Sequence, residues 1–330
     1  MNLKGSTKIG KVYQNPVPTE EAGFGMMPKI LKAYMTNKAE VVPHKTLGPF
    51  TTDASVYNTQ PESGLRITWI GHSSLLIEID GYHILTDPVW SNRVSMVQWF
   101  GPKRFFQPPI ALQNLPKLDA ILCSHDHYDH LDKATIEFFA DKEVPFFCSL
   151  GVGQYLQKWG IAKSRITEMD WGDSAQVGPD CKLTTAPTRH FSGRGITNRN
   201  TTLWSAFVIK TGKHNVFFGA DSGWFPGFKD IGDAYGPFDL TMLEIGAYGQ
   251  YWPDIHMGPD HASNAHLALR GKIMMPIHWG TFNLALHDWY EPIEKLLQFA
   301  KEKQIDLFVP EPGKPTEVGV YNSEWWRSSR

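Results

Sequence analysis

Residues 121–132 read ILCSHDHYDHLD. Four apolar or small residues, Ile121 to Ser124, lead into His125, His127, Asp129 and His130, a His-x-His-x-Asp-His arrangement at the end of a predicted buried strand. Imidazole and carboxylate are the ligands that a borderline Lewis acid such as zinc prefers. A tight turn splays alternate side chains apart, so four such groups inside six residues cannot all serve one tetrahedral ion. They can serve two ions side by side. At this chain's His and Asp frequencies the pattern arises by chance in roughly one sequence per thousand of this length. A metal site outweighs a polar loop that is merely rich in histidine.

The chain has 330 residues, a length that large α/β layers reach as one unit. A hydrophobic fraction of 42% is enough for a full core, and 12 Trp is a high count. A net charge of −2 gives no electrostatic case for a nucleic-acid partner. Of three cysteines, Cys123 and Cys148 sit in apolar runs and read as core residues. No apolar stretch approaches the roughly 20 residues that cross a bilayer, and the N-terminus carries no signal peptide. The expected location is cytoplasmic or peripheral to a membrane, or periplasmic if a signal peptide has been removed.

Residues 1–64 lack periodicity and are punctuated by prolines. They read as an extended arm packed on the surface, with one short helix near Pro28–Thr36. Residues 65–330 read as one domain. Arg66–Ile70, Ser74–Ile79 and Tyr82–Thr86 alternate as strands, the last two joined by the tight Asp80-Gly81 turn. Ala120–Cys123, Val144–Cys148 and Cys181–Ala186 follow as strands, with helices of about ten residues from Lys133 and over Gly151–Trp159. A second series runs through strands at Ala206–Lys210, Asn215–Gly219, Leu240–Ile245, Lys272–Ile277 and Leu307–Val309. Helices are predicted there at Pro259–Leu269 and Pro292–Ala300. Two similar batches of strands and helices predict an α+β architecture, two sheets face to face with helices outside, a four-layer αββα sandwich.

Three further candidates each follow a short apolar run: His190 after LTTAPTR, Asp221 after NVFFGA, and His278 after KIMMPI. Residues at the same ends of neighbouring strands converge, which is where ligand sites of layered folds lie. A lone His190 or His278 reads more readily as a core histidine, but in company with residues 125–130 ligation is the better reading. His44, His83, His214 and His287 lie in polar contexts. His261 and His266 read as helix residues, and His72, in the GHSS turn, as a brace for the metal loops.

At these residues the chain resembles the metallo-β-lactamase fold superfamily. The resemblance implies that His125, His127 and His190 hold one ion, that Asp129, His130 and His278 hold a second, and that Asp221 bridges them. Two zinc ions are expected, with iron or manganese as alternatives. Finer pieces are similar to the N-acylphosphatidylethanolamine-hydrolysing phospholipase D family over about residues 12–320: ITWIGHSSLLIEIDGYHILTDPVW at Ile67–Trp90, GPKRF at Gly101–Phe105, SHDHYDHLD at Ser124–Asp132, IHWGTF at Ile277–Phe282, and GAY at Gly246–Tyr248 followed by His256. Ser222 stands where that family has Thr, and MGPDHASNAH after His256 differs from the acidic run of the animal enzyme.

That resemblance implies a phosphodiesterase releasing N-acylethanolamine and phosphatidic acid. A metal-bridging hydroxide would attack phosphorus. Asp129 and His256 are the catalytic candidates, His256 giving a hydrogen bond to the phosphate or a proton to the leaving alkoxide. Beside it, residues 88–110 interleave Trp90, Met96, Trp99, Phe100, Phe105 and Phe106 with Arg93, Lys103 and Arg104, a pattern suited to lipid chains and phosphates. Trp99, Phe100, Lys103, Arg104, Trp224 and Tyr248 are therefore expected to bind substrate, with the patch Trp224–Phe228 walling the metal site. The partners expected are a phospholipid, a membrane surface and a second copy of the chain. The alternative is a lactonase or other ester hydrolase acting on a small soluble substrate.

Overall fold

The computed structural model describes residues 5–20, 24–195 and 197–329. The arm contributes a hairpin of β1 (Thr7–Ile9) and β2 (Val12–Gln14), then helix α1 (Met27–Thr36). Next come β3 (Leu65–Gly71), β4 (Ser74–Ile79), β5 (Tyr82–Thr86), β6 (Ala120–Cys123), α2 (Lys133–Phe138), β7 (Phe146–Ser149), α3 (Gly153–Lys158) and β8 (Ile166–Met169). The second series is β9 (Ser174–Gly178), β10 (Cys181–Pro187), β11 (Ser205–Lys210), β12 (Asn215–Phe218), α4 (Gly227–Tyr235), β13 (Phe238–Glu244), α5 (Gly258–Ala268), β14 (Gly271–Ile277), α6 (Glu291–Lys303) and β15 (Asp306–Val309). Two short strands, β16 (Thr316–Glu317) and β17 (Tyr321–Asn322), finish the chain's sheets.

The strands form a seven-stranded sheet, β16-β3-β4-β5-β6-β7-β8, and an eight-stranded sheet, β17-β15-β14-β13-β12-β11-β10-β9. Each begins antiparallel and becomes parallel. β3 to β5 are hairpin-connected and β5 to β8 run parallel; β9 to β12 alternate and β12 to β15 run parallel. Parallel neighbours need a crossover, which α2 to α6 supply in these runs except between β5 and β6, where the long loop of residues 87–119 makes it. Alternate residues separate the layers. Ile67, Trp69, Ile77 and Leu122 join Leu183, Phe217 and Met242 in the cluster that also takes in α5 and α6, whereas Ile70, Leu76, Ile121 and Cys123 join Ile136 of α2 and Leu156 of α3. This is the αββα sandwich. The tryptophans are explained here: Trp69, Trp279 and Trp325 lie with ring centroids 5.3–5.8 Å apart, sealing the C-terminal turn onto the core.

Several elements differ from expectation. The helix from Lys133 stops after six residues. β7 starts at Phe146 because Pro145 has no N–H to give the ladder. β8 and β9 were not predicted; both are edge strands with exposed positions, so they lack the apolar alternation that marks a buried strand. α4 was hidden by Gly227 and Gly232, poor helix formers. Gly232 is needed where α4 meets α5, since a Cβ there would lie 2.3 Å from the Ala268 carbonyl. The patch Trp224–Phe228 therefore does not wall the metal site. Phe225 and Phe228 are buried in the main core at the start of α4.

Candidate metal centre and active site

Strand ends assemble the site. His125 follows β6, His190 follows β10, Asp221 follows β12, Glu244 ends β13 and His278 follows β14. The backbone there is tightly constrained: His72, Asp87, Ala220, Ala247 and His278 all have positive φ, at 56°, 35°, 48°, 58° and 62°. Non-glycine residues adopt that region at a cost and persist in it where the surroundings over-determine them, typically at functional sites. Gly223 is required nearby, because a Cβ would lie 1.6 Å from the Asp254 carbonyl of the loop that carries His256.

The seven candidate ligands come together in two groups. Ligand atoms of His125, His127, His190 and Asp221 lie within 4.8 Å of one another, as do those of His72, Asp129, His130 and His278. Nδ1 of His127 faces Nε2 of His125 at 2.9 Å and Nε2 of His190 at 3.2 Å. Asp221 lies between the groups, Oδ1 at 3.1 Å from His130 Nε2 and Oδ2 at 3.1 Å from His278 Nε2 and 3.6 Å from His190 Nε2. Among the described residues, the buried Nε2 atoms of His130 and His278 and Oδ1 of Asp221 find close neighbours but no aligned hydrogen bond. Convergent, buried and orphaned nitrogen and carboxylate donors fit cations. His72 reaches Asp129 Oδ2 at 2.9 Å through Nε2 and so braces the second group.

Electrostatics agree with that reading. Burial pushes His125 and His190 well below the usual histidine range, leaving them neutral as a ligand must be. Burial also opposes the charge of His278, but Asp221, Asp129 and Glu244 outweigh it and raise this histidine to about 10. His130 is likewise held up by Asp221 and Asp129 against burial. Protons thus occupy the carboxylate-rich side, and a cation would displace them.

Partners outside the two groups fix the imidazoles. Asp87, fully buried, accepts from His130 Nδ1 at 2.7 Å and from Ser124 Oγ at 2.6 Å, and Ser124 Oγ also meets His125 Nδ1 at 2.9 Å. His190 Nδ1 donates to the Ile255 carbonyl at 2.9 Å. Arg194 ties down the 125–130 loop by donating to the carbonyls of Asp126 and Leu131 at 2.8 and 2.7 Å, its guanidinium 3.9 Å from the Tyr128 ring centre. Glu244, fully buried, accepts from His256 Nδ1 at 2.6 Å. Sequence reasoning missed Asp87, Arg194 and Glu244. Asp87 and Glu244 carry the same signal as His278, a polar residue ending a buried strand; Arg194 carries none.

A cleft of about 330 Å³ opens over the cluster, where His127, Asp129, Asp221 and His256 meet apolar Ile30, Phe191, Trp252, Ile255 and Leu284. None of the six expected substrate-binding residues lines it. Arg104 is buried, its guanidinium donating to the carbonyls of Val89, Phe106 and Ile70, so it holds the loop together and does not face a phosphate. Tyr248 turns its hydroxyl to Glu291 and its ring to His287. Trp224 packs toward His261. Trp99 and Phe100 are outward, 80% and 68% exposed, with Lys103 exposed behind them.

A layered αββα frame with this histidine and carboxylate cluster at its strand ends defines a metal-dependent hydrolase of the metallo-β-lactamase type. The chain belongs to the beta-lactamase superfamily, with residues 82–279 matching the Beta-lactamase superfamily domain. It is 46% identical to an uncharacterised protein of Mycobacterium tuberculosis over 80% of this chain and 72% of that one. It is 32% identical to N-acyl-phosphatidylethanolamine-hydrolyzing phospholipase D 1 of Caenorhabditis elegans, covering 89% of this chain and 88% of the relative. Among solved structures, the metallo hydrolase Igni18 of Ignicoccus hospitalis superposes with a TM-score of 0.59 at 24% identity, over 77% of this chain and 98% of that one. That likeness speaks for the fold alone.

Proposed function

We propose that the protein is a phospholipase D-type phosphodiesterase that cleaves N-acylphosphatidylethanolamine to N-acylethanolamine and phosphatidic acid. The observation that carries this reading is the similarity, along nearly the whole of both chains, to a relative named for that reaction. The apolar cleft beside the cluster supports it, since acyl chains need such walls. His125, His127, His190, Asp129, His130 and His278 would hold two zinc ions with Asp221 between them. Such ions supply a water-derived nucleophile at neutral pH and neutralise charge on phosphoryl oxygens. Glu244 accepts from Nδ1 of His256, and with the ring doubly protonated Nε2–H would hydrogen-bond the phosphate or give its proton to the departing alkoxide, leaving the Nδ1–H tautomer. Asp129, braced by His72, orients its own group of ligands. Met96, Trp99 and Phe100, together with Leu31 and Met35 of α1, are exposed apolar residues suited to peripheral contact with a lipid surface. Among the described residues no helix is long and apolar enough to cross a membrane.

Hydrolysis of N-acylphosphatidylethanolamine in mixed micelles, products resolved by mass, tests the proposal beside a panel of simple lactones. Release of N-acylethanolamine and phosphatidic acid, lost in Asp129→Asn, is expected. Lactone turnover with intact lipid would overturn the substrate and favour the second reading, a small-substrate lactonase. One observation favours that second reading: Arg93 and Arg104 donate to backbone carbonyls, so the aromatic loop offers fewer cations to phosphate than its sequence promised.

A further inference from the structure

The arm reaches the metal centre. Asn15, just after β2, pairs with both backbone groups of His190: its Nδ2 donates to the His190 carbonyl at 2.7 Å, and its Oδ1 accepts the His190 N–H at 2.9 Å. One side chain thus acts as a rung of β-ladder across 175 positions of sequence. The flanks of this contact are also held. The Tyr13 N–H donates to the Asn200 carbonyl at 2.8 Å, and Asn200 in turn pairs with Ser192, two residues beyond His190. Arg189 donates to the Pro18 carbonyl at 2.6 Å and to Thr19 Oγ1 at 3.0 Å, and it pairs with Asp254 at 2.6 Å. Asp254 also accepts the Glu20 N–H at 2.7 Å. Arg189, His190 and Ser192 are therefore tied, directly or through one neighbour, to residues 13–20.

We propose that Asn15 is a positioning residue for His190, so that the arm is a working part of the metal centre. The physical reason lies in the local chain. His190 lies past the last ladder pair of β10, Pro187 with Ser205; Arg189 still bridges Gly223, but the N–H and carbonyl of His190 itself are met by Asn15. Its imidazole is held at Nδ1 by the bond to the Ile255 carbonyl, which turns Nε2 toward His127 and Asp221. Ring orientation then follows from the backbone, which Asn15 holds at His190 itself and Gly223 and Ser222 hold at Arg189. Asparagine suits this contact because its amide offers a donor and an acceptor in the spacing of a peptide group; Gln carries the same amide one methylene further out, and Asp keeps the acceptor and loses the donor.

The proposal rests on His190 being a ligand, and the test separates the two. Zinc-loaded wild type, Asn15→Leu, Asn15→Asp and His190→Ala would be titrated with a chelator, counting ions per chain, and the cobalt-substituted forms compared by visible absorption. His190→Ala is the reference for a lost ligand. Asn15→Leu is expected to release one ion at roughly 10–100-fold lower chelator than wild type, as loss of an orienting partner does. Its cobalt spectrum should be altered, with Asn15→Asp between the two. If Asn15→Leu does not fold, the Asn15→Asp comparison carries the test alone. Wild-type retention and an unchanged cobalt spectrum in Asn15→Asp and Asn15→Leu would overturn the proposal. If His190→Ala itself retains its ions like wild type, it is the ligand assignment that falls.

Discussion

Nδ1 of His256 donates to Oε2 of Glu244 at 2.6 Å, and Glu244 is wholly buried beneath it. The other carboxylate oxygen of Glu244 accepts the Ser222 N–H at 2.8 Å, so the acid is fixed relative to the residue after Asp221. One buried carboxylate thereby links the proton-transfer candidate to the candidate metal ligands. Glu244→Gln keeps the shape and removes the charge that holds this tautomer. Turnover should fall about 10²–10³-fold with KM little changed, in the range that positioned acid–base groups contribute. Steady-state kinetics with the lipid would measure it, and a kcat within threefold of wild type would remove His256 from proton transfer.

Acid and base should act differently on loaded and metal-free protein. His278 is raised to about 10 and His130 is raised too, burial opposing and the carboxylates prevailing. A raised folded pKa contributes stability that is complete below the ordinary histidine value of about 6.5 and is lost as pH climbs through the folded one. Chelated protein should therefore lose melting temperature between neutral pH and about 10, whereas loaded protein, its imidazoles already deprotonated, should lack that slope. Metal retention should weaken as pH falls, because protons compete for the same nitrogens. Calorimetry across this range checks both; a flat profile for the chelated protein contradicts the carboxylate–imidazole balance.

Asp87 serves His130 and, through Ser124, His125, one imidazole from each group. Asp87→Asn replaces an acceptor oxygen by a donor and should weaken metal retention roughly 10–100-fold. Competition with a chromogenic chelator would read the change. Retention equal to wild type would mean that the imidazoles hold their orientation without it.

Arg104 and Lys103 are adjacent and should behave oppositely. Arg104→Met leaves the carbonyls of Val89 and Phe106 buried without a donor and should cost about 2–4 kcal/mol of folding stability. Lys103→Ala, at an exposed position, should change stability by no more than about 0.5 kcal/mol. Denaturant unfolding of the two variants decides it. Equal midpoints would show that the buried guanidinium is not structural.

Trp99 and Phe100 stand outward, their ring centroids 6.1 Å apart, with no core to cover. Changing both to Ser should abolish binding to phospholipid vesicles and leave turnover of a water-soluble substrate intact. Vesicle flotation separates these outcomes, and undiminished binding would place lipid contact elsewhere.

Sequence alone picked out the seven candidate ligands and predicted the layer order. His125, His127, Asp129 and His130 are legible because they share one turn, and His190, Asp221 and His278 because each ends an apolar run, a pattern of strand ends that is local in the chain. The alternation in Arg66–Ile70 and Ser74–Ile79 likewise announced strands, although packing buries every residue of β3 and β4. Tertiary structure decided what depends on distant partners. Glu244 and Asp87 look like strand-end acids until the fold sets an imidazole against each. Asn15 looks like a linker residue until the arm crosses 175 positions to reach His190. Arg104 reads as a phosphate-seeking cation until its loop closes over it. The physical reason is the same in each case: residue type and spacing report on contacts within a few residues, while burial and the identity of a hydrogen-bond partner are set only when segments far apart in the chain pack together.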